Sequence, residues 1–403
     1  MANLVGARIE RKEDKKFLTG RGRYTADINL ANQTYAYFVR SPHARATITK
    51  IDCSKATKAP GVVEIFTGDN LVENKIGGLI CGWKIVSQDG KDMKCPPHPA
   101  LAINSVNFVG DHVAVVIAET LEQAKNAAEL VNVSYKIKKA VVNTADATSS
   151  ENIHEGIDNN ISFDFLLGDK GKTEEAFSKA DKVVKLDLLN NRLIPNAMEP
   201  RAAIGDYNPS SDELTLYTAS QNPHLDRLIM SAFNAVHPEH KFRIVAPDVG
   251  GGFGSKINVY AEDVVVAFAA KKIERPVKWV GERSESFMSD NHGRDHVTHA
   301  ELAITNDGKI LAIKVDTIAN LGAYSLVLAA VTPTYLYAPL LLGVYDIPTA
   351  CCTVKGVYTN TAPTDAYRGA GRPEATYVIE RIVTEAAKEI GMDQAEFRKK
   401  NFI

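Results

Sequence analysis

Gly250-Gly251-Gly252-Phe253-Gly254-Ser255-Lys256 lies between a stretch that reads as a strand, KFRIVAP, and one that reads as an apolar-striped helix, VYAEDVVVAFAAKK. Such a run commits the chain to a tight turn between a strand and a helix. Glycine lets backbone approach a ligand closely, and a helix N-terminus behind it adds positive partial charge, so the loop is a candidate anion cradle. It is not a nicotinamide fingerprint, because Ser255 stands where the third glycine should fall. It is not a phosphate loop either, because the Gly-Lys-Ser/Thr ending is missing. On spacing alone, a purely structural turn is an equal alternative.

The surrounding pattern is α/β (α+β). HVAVVIA, LEQAKNAAELV and VNVSYKI read as strand, helix and strand over residues 111–136, with Thr120 placed to cap the helix. TYAYFVRS and GVVEIFTG add strands upstream, so residues 1–140 read as a small α/β domain. Residues 141–160 are polar and read as a linker. In residues 161–403, AELAIT and KILAIKVDT flank Asn306-Asp307-Gly308 as a hairpin, and TYVIERIVTEAAKEIG and MDQAEFRKKN close the chain as helices. A length of 403 residues suits two or three domains, since single cores stop growing near ~250 residues.

Bulk properties narrow the function. A net charge of −2 gives no reason to expect nucleic acid or an anionic membrane as partner. No window approaches the ~20 apolar residues of a membrane span. The start, MANLVGARIERKEDKK, lacks the apolar core of a secretory signal, so the chain reads as soluble and cytoplasmic. The five cysteines form no C-x-x-C pair; they read as reduced structural thiols, and no iron–sulfur cluster of the chain's own is expected.

A second polar cluster, Asp365-Ala366-Tyr367-Arg368-Gly369-Ala370-Gly371-Arg372-Pro373, alternates arginine and glycine ahead of a helix. Guanidinium forks suit oxyanions. Solvated arginines at a helix entry are the other reading. His292, His296 and His299 have helical metal spacing, but no carboxylate completes the set and the stretch is not helix-like; a metal is not expected there. Glu174 and Glu175 read as a solvated helix face. Gln221-Asn222-Pro223-His224 reads as a polar turn after a strand.

These pieces recur together and in order. RKEDKKFLTGRGRYTADI, FVRSPHARATI, FVGDHVAVVIAET, NRLIPNAMEPRAA, ASQNPH, APDVGGGFGSK, RPVKWVGERSESF, NLGAY and AYRGAGRPEA resemble segments of the molybdopterin-binding large subunit of molybdenum hydroxylases. That group holds xanthine dehydrogenase, aldehyde oxidase and the aerobic carbon-monoxide-dehydrogenase-like enzymes. The resemblance runs from about residue 5 to the end. It implies that residues 1–140 are the α/β hammerhead domain and that 161–403 are the first half of the molybdopterin-binding region. It further implies that Gln221, Gly251, Gly252, Phe253, Gly254, Ala366, Tyr367, Arg368 and Gly369 contact the cofactor. The two loops should then border one cavity. The cofactor implied is molybdopterin, as its cytosine dinucleotide. The reaction implied is oxidative hydroxylation of a small-molecule substrate, with electrons leaving through [2Fe-2S] and FAD on partner subunits.

Departures from the family pattern refine this. Copper-using members carry a cysteine directly after Ala-Tyr-Arg; here it is Gly369, so copper is not expected and the sequence resembles the copper-free form II branch. Ile257 and Leu336 replace a glutamate and an arginine of the xanthine-type enzymes, so an aldehyde or N-heterocycle suits better than a purine. The family's large subunit continues for about as long again, and the glutamate acting as general base belongs to that half. No catalytic residue is therefore expected in this chain, and the chain alone should be silent until the other half, in the same or a separate chain, joins it. Glu374 has the context of a structural residue. The competing readings are a non-catalytic anion- or nucleotide-binding module and a truncated, inactive fragment.

Overall fold

The computed structural model describes residues 4–403. The helix Ala261–Ile273 organises one half of it. Its residues are apolar nearly all round, VVVAFAA at the centre, so it can only be stable when buried on every side. Val264 to Ala270 are all buried. They pack on a seven-stranded mixed sheet ordered Phe242–Val245, Glu213–Thr218, Ala202–Asn208, Val277–Val280, Thr34–Arg40, His112–Ala118, Val62–Thr67. The join between the two regions of the sequence is Thr34–Arg40 lying parallel to Val277–Val280, with Thr34 opposite Val277. N-terminal and later strands thus share one core, where Phe38, Val115 and Ile117 meet Leu214, Val266 and Trp279. Burying each such side chain contributes about 1.5–3 kcal/mol.

His112–Ala118 is buried at all seven positions, as an unbroken apolar run requires. Val115 and Ile117 face the helix Ala261–Ile273, while Val116 packs with Ala127 and Ala128 of the helix Leu121–Ala128. Thr120 caps that helix, its hydroxyl accepting the Gln123 N–H at 3.2 Å. The following strand, Asn132–Ile137, does not return to the same sheet. It pairs with Ala46–Asp52 in a separate three-stranded sheet with Ser105–Val106, so strand, helix and strand occur as expected without forming a parallel crossover unit.

A five-stranded sheet, ordered Ile161–Gly168, Thr349–Tyr358, Ile310–Gly322, His296–Ile304, Lys182–Asn190, forms the other half. Its central hairpin is the expected one, with Leu302 opposite Ile313 and Gly308 at φ +85° in the turn. The helix Arg372–Glu389 covers it, burying Ile379, Ile382 and Val383 against Val184, Leu302 and Ile313.

Residues 141–160, polar enough to suggest a linker, are instead packed. Their polar groups do the work of a lattice: Asn160 Oδ1 accepts the Ile153 N–H at 2.7 Å, and its amide donates to Ala147 O at 2.9 Å. The Thr144 hydroxyl donates to Asp295 at 2.7 Å, and Ile153 and Ile157 are buried. His296 and His299 lie on a strand, where an offset of three puts side chains on opposite faces. Among the described residues no group of three or more His, Cys, Asp or Glu could hold a metal, and no helix is long and apolar enough to cross a membrane.

Candidate cofactor site

The glycine loop is strained where it must be. Gly251 and Gly254 have φ of +95° and +105°, and Phe253, at +53°, holds a left-handed conformation that side chains adopt at a cost. A Cβ on Gly252 would lie 2.3 Å from Gln221 Oε1, and one on Gly254 would lie 2.1 Å from the Ala366 carbonyl oxygen. Both positions are glycine because other groups occupy that space. The helix beyond starts only at Ala261, so its N-terminus does not back this loop, contrary to the sequence expectation. The helix end falls at the second loop instead: Arg372–Glu389 begins directly after Gly371, itself at φ +82°.

The two loops meet. The Arg368 N–H donates to Phe253 O at 2.9 Å, and the Arg368 guanidinium lies 5.9 Å from the centre of the Phe253 ring. Gln221 Oε1 accepts the Gly254 N–H at 2.9 Å, which leaves the Gln221 amide NH2 without a partner among the described residues. The backbone N–H groups of Gly251, Gly252, Phe253 and Gly369 are likewise unbonded among the described residues. Phe253 is 43% exposed. The result is a cluster of unpaired donors with a guanidinium beside it. Gln221, Gly251 to Gly254 and Ala366 to Gly369 are therefore brought to one place.

Residues not singled out from the sequence hold the loops there. Tyr260, fully buried, has its hydroxyl 2.6 Å from both Ser255 O and Asn291 Oδ1, and it accepts the Asn291 N–H at 3.1 Å. Burial pushes its pKa well above the ordinary value, so it stays protonated. The Asn291 amide reaches on to Ala366 O at 3.2 Å, which bridges one loop to the other. Arg294 donates to Tyr367 O at 3.3 Å and Arg368 O at 2.8 Å, and pairs with buried Glu374 at 2.9 Å. Glu374 is thus a structural partner. On the other side, Lys256 donates to Glu199 Oε2 at 2.8 Å, the oxygen that accepts the Gly250 N–H at 2.7 Å. Ile257 and Leu336 both adjoin the loops: the Ile257 N–H donates to Gly254 O, and a Cβ on Gly371 would lie 2.4 Å from Leu336 O. Neither brings charge.

A molybdopterin cofactor-binding domain model matches residues 153–402, and an aldehyde oxidase and xanthine dehydrogenase a/b hammerhead domain model matches residues 19–139. The chain belongs to the molybdenum hydroxylase large-subunit family. It is 36% identical to the carbon monoxide dehydrogenase large chain of Hydrogenophaga pseudoflava, over 97% of this chain and 49% of that one. The crystal structure of quinoline 2-oxidoreductase from Pseudomonas putida 86 superposes with a TM-score of 0.92 at 30% identity, covering 99% of this chain and 50% of the other. This family member spans about half the length of those relatives. The nicotinate dehydrogenase large molybdopterin subunit of Eubacterium barkeri differs: at 30% identity it is matched over 88% of its own length and 98% of this chain.

Beside Gln221 sits a buried acid. Asp226 accepts the Ser220 hydroxyl with one carboxyl oxygen, while the other has no partner among the described residues. Burial, with the Asp263 charge adding, pushes its pKa from 3.8 to about 8. A carboxyl whose folded pKa is raised binds its proton more tightly in the folded state. Its contribution to stability is full at acid pH and is lost as pH rises towards about 8. Asp111 and Asp263, raised to about 7 and about 6, act the same way, so the variant must be compared with the parent. Asp226→Asn is expected to melt near the parent at pH 5 and several degrees above it at pH 8. Parallel melting curves across that range would contradict the assignment.

Proposed function

We propose that this chain is the molybdopterin-binding part of a molybdenum hydroxylase acting on an N-heterocycle or aldehyde. One observation carries the reading: two loops far apart in sequence are locked together and jointly present unpaired donors. Such a surface fits an anionic pterin with a pyrophosphate tail, as in molybdopterin cytosine dinucleotide. The N–H groups of Gly251, Gly252 and Phe253, the Gln221 amide and the Arg368 side chain would hold it. The cofactor, when bound, supplies the two-electron redox chemistry. This chain's residues bind and orient. Gln221 keeps a donor aimed at the site because its carbonyl oxygen is engaged by Gly254. Phe253 shapes the approach. Glu374, paired with Arg294, is not available as a base.

The neighbouring cavity supports this substrate class. It measures about 940 Å³ and is walled by Leu225, Leu228, Phe233, Val327 and Leu328. The Leu328 N–H donates to Asp365 Oδ2 at 2.9 Å, which ties that wall to the second loop. A flat, weakly polar ring suits it, and uncharged Ile257 and Leu336 give a purine nothing to pair with. Copper has no place in the loop, since Gly369 has no side chain. The rest of the cofactor region, an iron–sulfur small subunit and an FAD medium subunit complete the enzyme. A nucleotide-binding module without molybdenum has no observation in its favour.

The protein purified from its source with its partner chains should reduce a dye with N-heteroaromatic or aldehyde substrates. It should do so equally with and without added copper, and not with xanthine. Carbon monoxide oxidation that depends on stoichiometric copper would contradict the proposal.

A further inference from the structure

In the sequence Cys81 and Cys95 read as reduced structural thiols, and their spacing gives no hint of a pair. The fold opposes them. Segments 79–87 and 91–98 run antiparallel as the two arms of a hairpin-like excursion. At one end the Leu79 N–H donates to His98 O at 2.7 Å; at the other the Met93 N–H donates to Ile85 O at 2.9 Å. Between these ties Cys81 and Cys95 come close to each other, and the Cys81 thiol donates to Trp83 O at 3.6 Å. Both line the cavity of about 940 Å³, so a small solute reaches them. Cys53, Cys351 and Cys352 do not line this cavity.

We propose that Cys81 and Cys95 form a reversible disulfide, made by a hydroperoxide entering the cavity, as a redox-sensitive modification site in its wall. This goes beyond the function proposed above and does not depend on it.

The chemistry assigns roles. The neighbouring Cys81 thiol foremost, with Lys84 adding to the effect, holds Cys95 down at about 7. The same contact and burial push Cys81 up. Cys95 is thus the thiolate and Cys81 the resolving thiol. The Cys95 thiolate attacks the peroxide O–O bond. Sulfur gains one oxygen as a sulfenic acid, and the other oxygen takes up the proton that Cys95 gave up and leaves in an alcohol, or in water where the oxidant is hydrogen peroxide. The Cys81 thiol then attacks the sulfenic sulfur, the S–S bond forms, and the sulfenic OH leaves as water with the Cys81 proton. Two electrons pass from the thiols to the peroxide. A metal is a poorer reading, because among the described residues no third ligand joins the pair.

The test is peroxide titration of the purified protein with its partner chains, read by differential alkylation and peptide mass spectrometry. The Cys81–Cys95 cross-linked peptide should appear at least about tenfold faster than oxidation of Cys53, whose thiol burial raises. A thiol reductant should reverse it. Cys81→Ser should leave a sulfenic acid at Cys95 that dimedone traps, which tests the order of attack even if the cross-link strains the fold. The proposal is overturned if both cysteines stay alkylatable while Cys53 oxidises. It is also overturned if Cys81→Ser traps no dimedone at Cys95.

Discussion

Glu262→Gln is expected to cost about 3–5 kcal/mol of stability, the range for removing one partner from a buried ion pair. Glu262 is fully buried in the helix Ala261–Ile273. Its Oε1 accepts from Arg40 at 2.8 Å and Arg201 at 3.0 Å, and its Oε2 accepts from Arg201 at 2.9 Å. His112 Nε2 is 2.9 Å from Oε1. Burial alone would raise its pKa; Arg201 foremost, then His112 and Arg40, hold it well below the carboxylate range. Glutamine keeps the shape and removes the charge. Arg40 would keep Glu285 and Arg201 would keep Asp290, so the lower part of the range is favoured. Arg40 and His112 come from the N-terminal region, and Arg201 and Glu262 from the later one. The loss should therefore unfold the shared sheet as a unit. Urea denaturation measures it, and a change below about 1 kcal/mol would mean that the cluster does not bind the regions together.

Gly254→Val is expected to abolish cofactor retention while leaving most of the chain folded. The first side-chain carbon would meet the Ala366 carbonyl oxygen at 2.1 Å, and φ of +105° is closed to a β-branched residue. Backbone faces backbone there, so neither side can yield by a rotamer change. The loops must part, which breaks the Arg368 to Phe253 hydrogen bond and the Gly254 to Gln221 one. Gly90→Ala is the control, because Gly90 also has positive φ, at +79°, yet a Cβ there meets nothing within 4 Å. Its variant should keep the cofactor. Equal molybdenum in both variants would sink the idea that the loop contact builds the site.

The sequence made some of this legible for physical reasons. His112–Ala118 and the hairpin at Gly308 follow from apolar runs and turn chemistry, which are local. The glycine loop was visible as glycine, but the reasons for Gly252 and Gly254 lie in Gln221 and Ala366, far away in sequence. Tyr260, Asn291 and Arg294 were not picked out, because a buried tyrosine, amide or guanidinium shows its role only through the carbonyls it reaches. Arg294 and Glu199 did fall inside or beside stretches of notable polarity, GRDH and AMEPR, and that was the available signal. Polar content misled at 141–160, where Asn and Thr serve the backbone rather than the solvent. The pairing of Cys81 with Cys95 depends on a bridge between Leu79 and His98 that no local pattern announces.

The most direct test of the proposed cofactor site is the molybdenum and pterin content of the protein isolated from its source with its partner chains. Metal analysis and the fluorescence of the oxidised pterin are measured on the same sample. Stoichiometric molybdenum, with an oxidised pterin carrying a cytosine nucleotide, is the predicted result. A folded, fully assembled protein holding neither molybdenum nor pterin would contradict it.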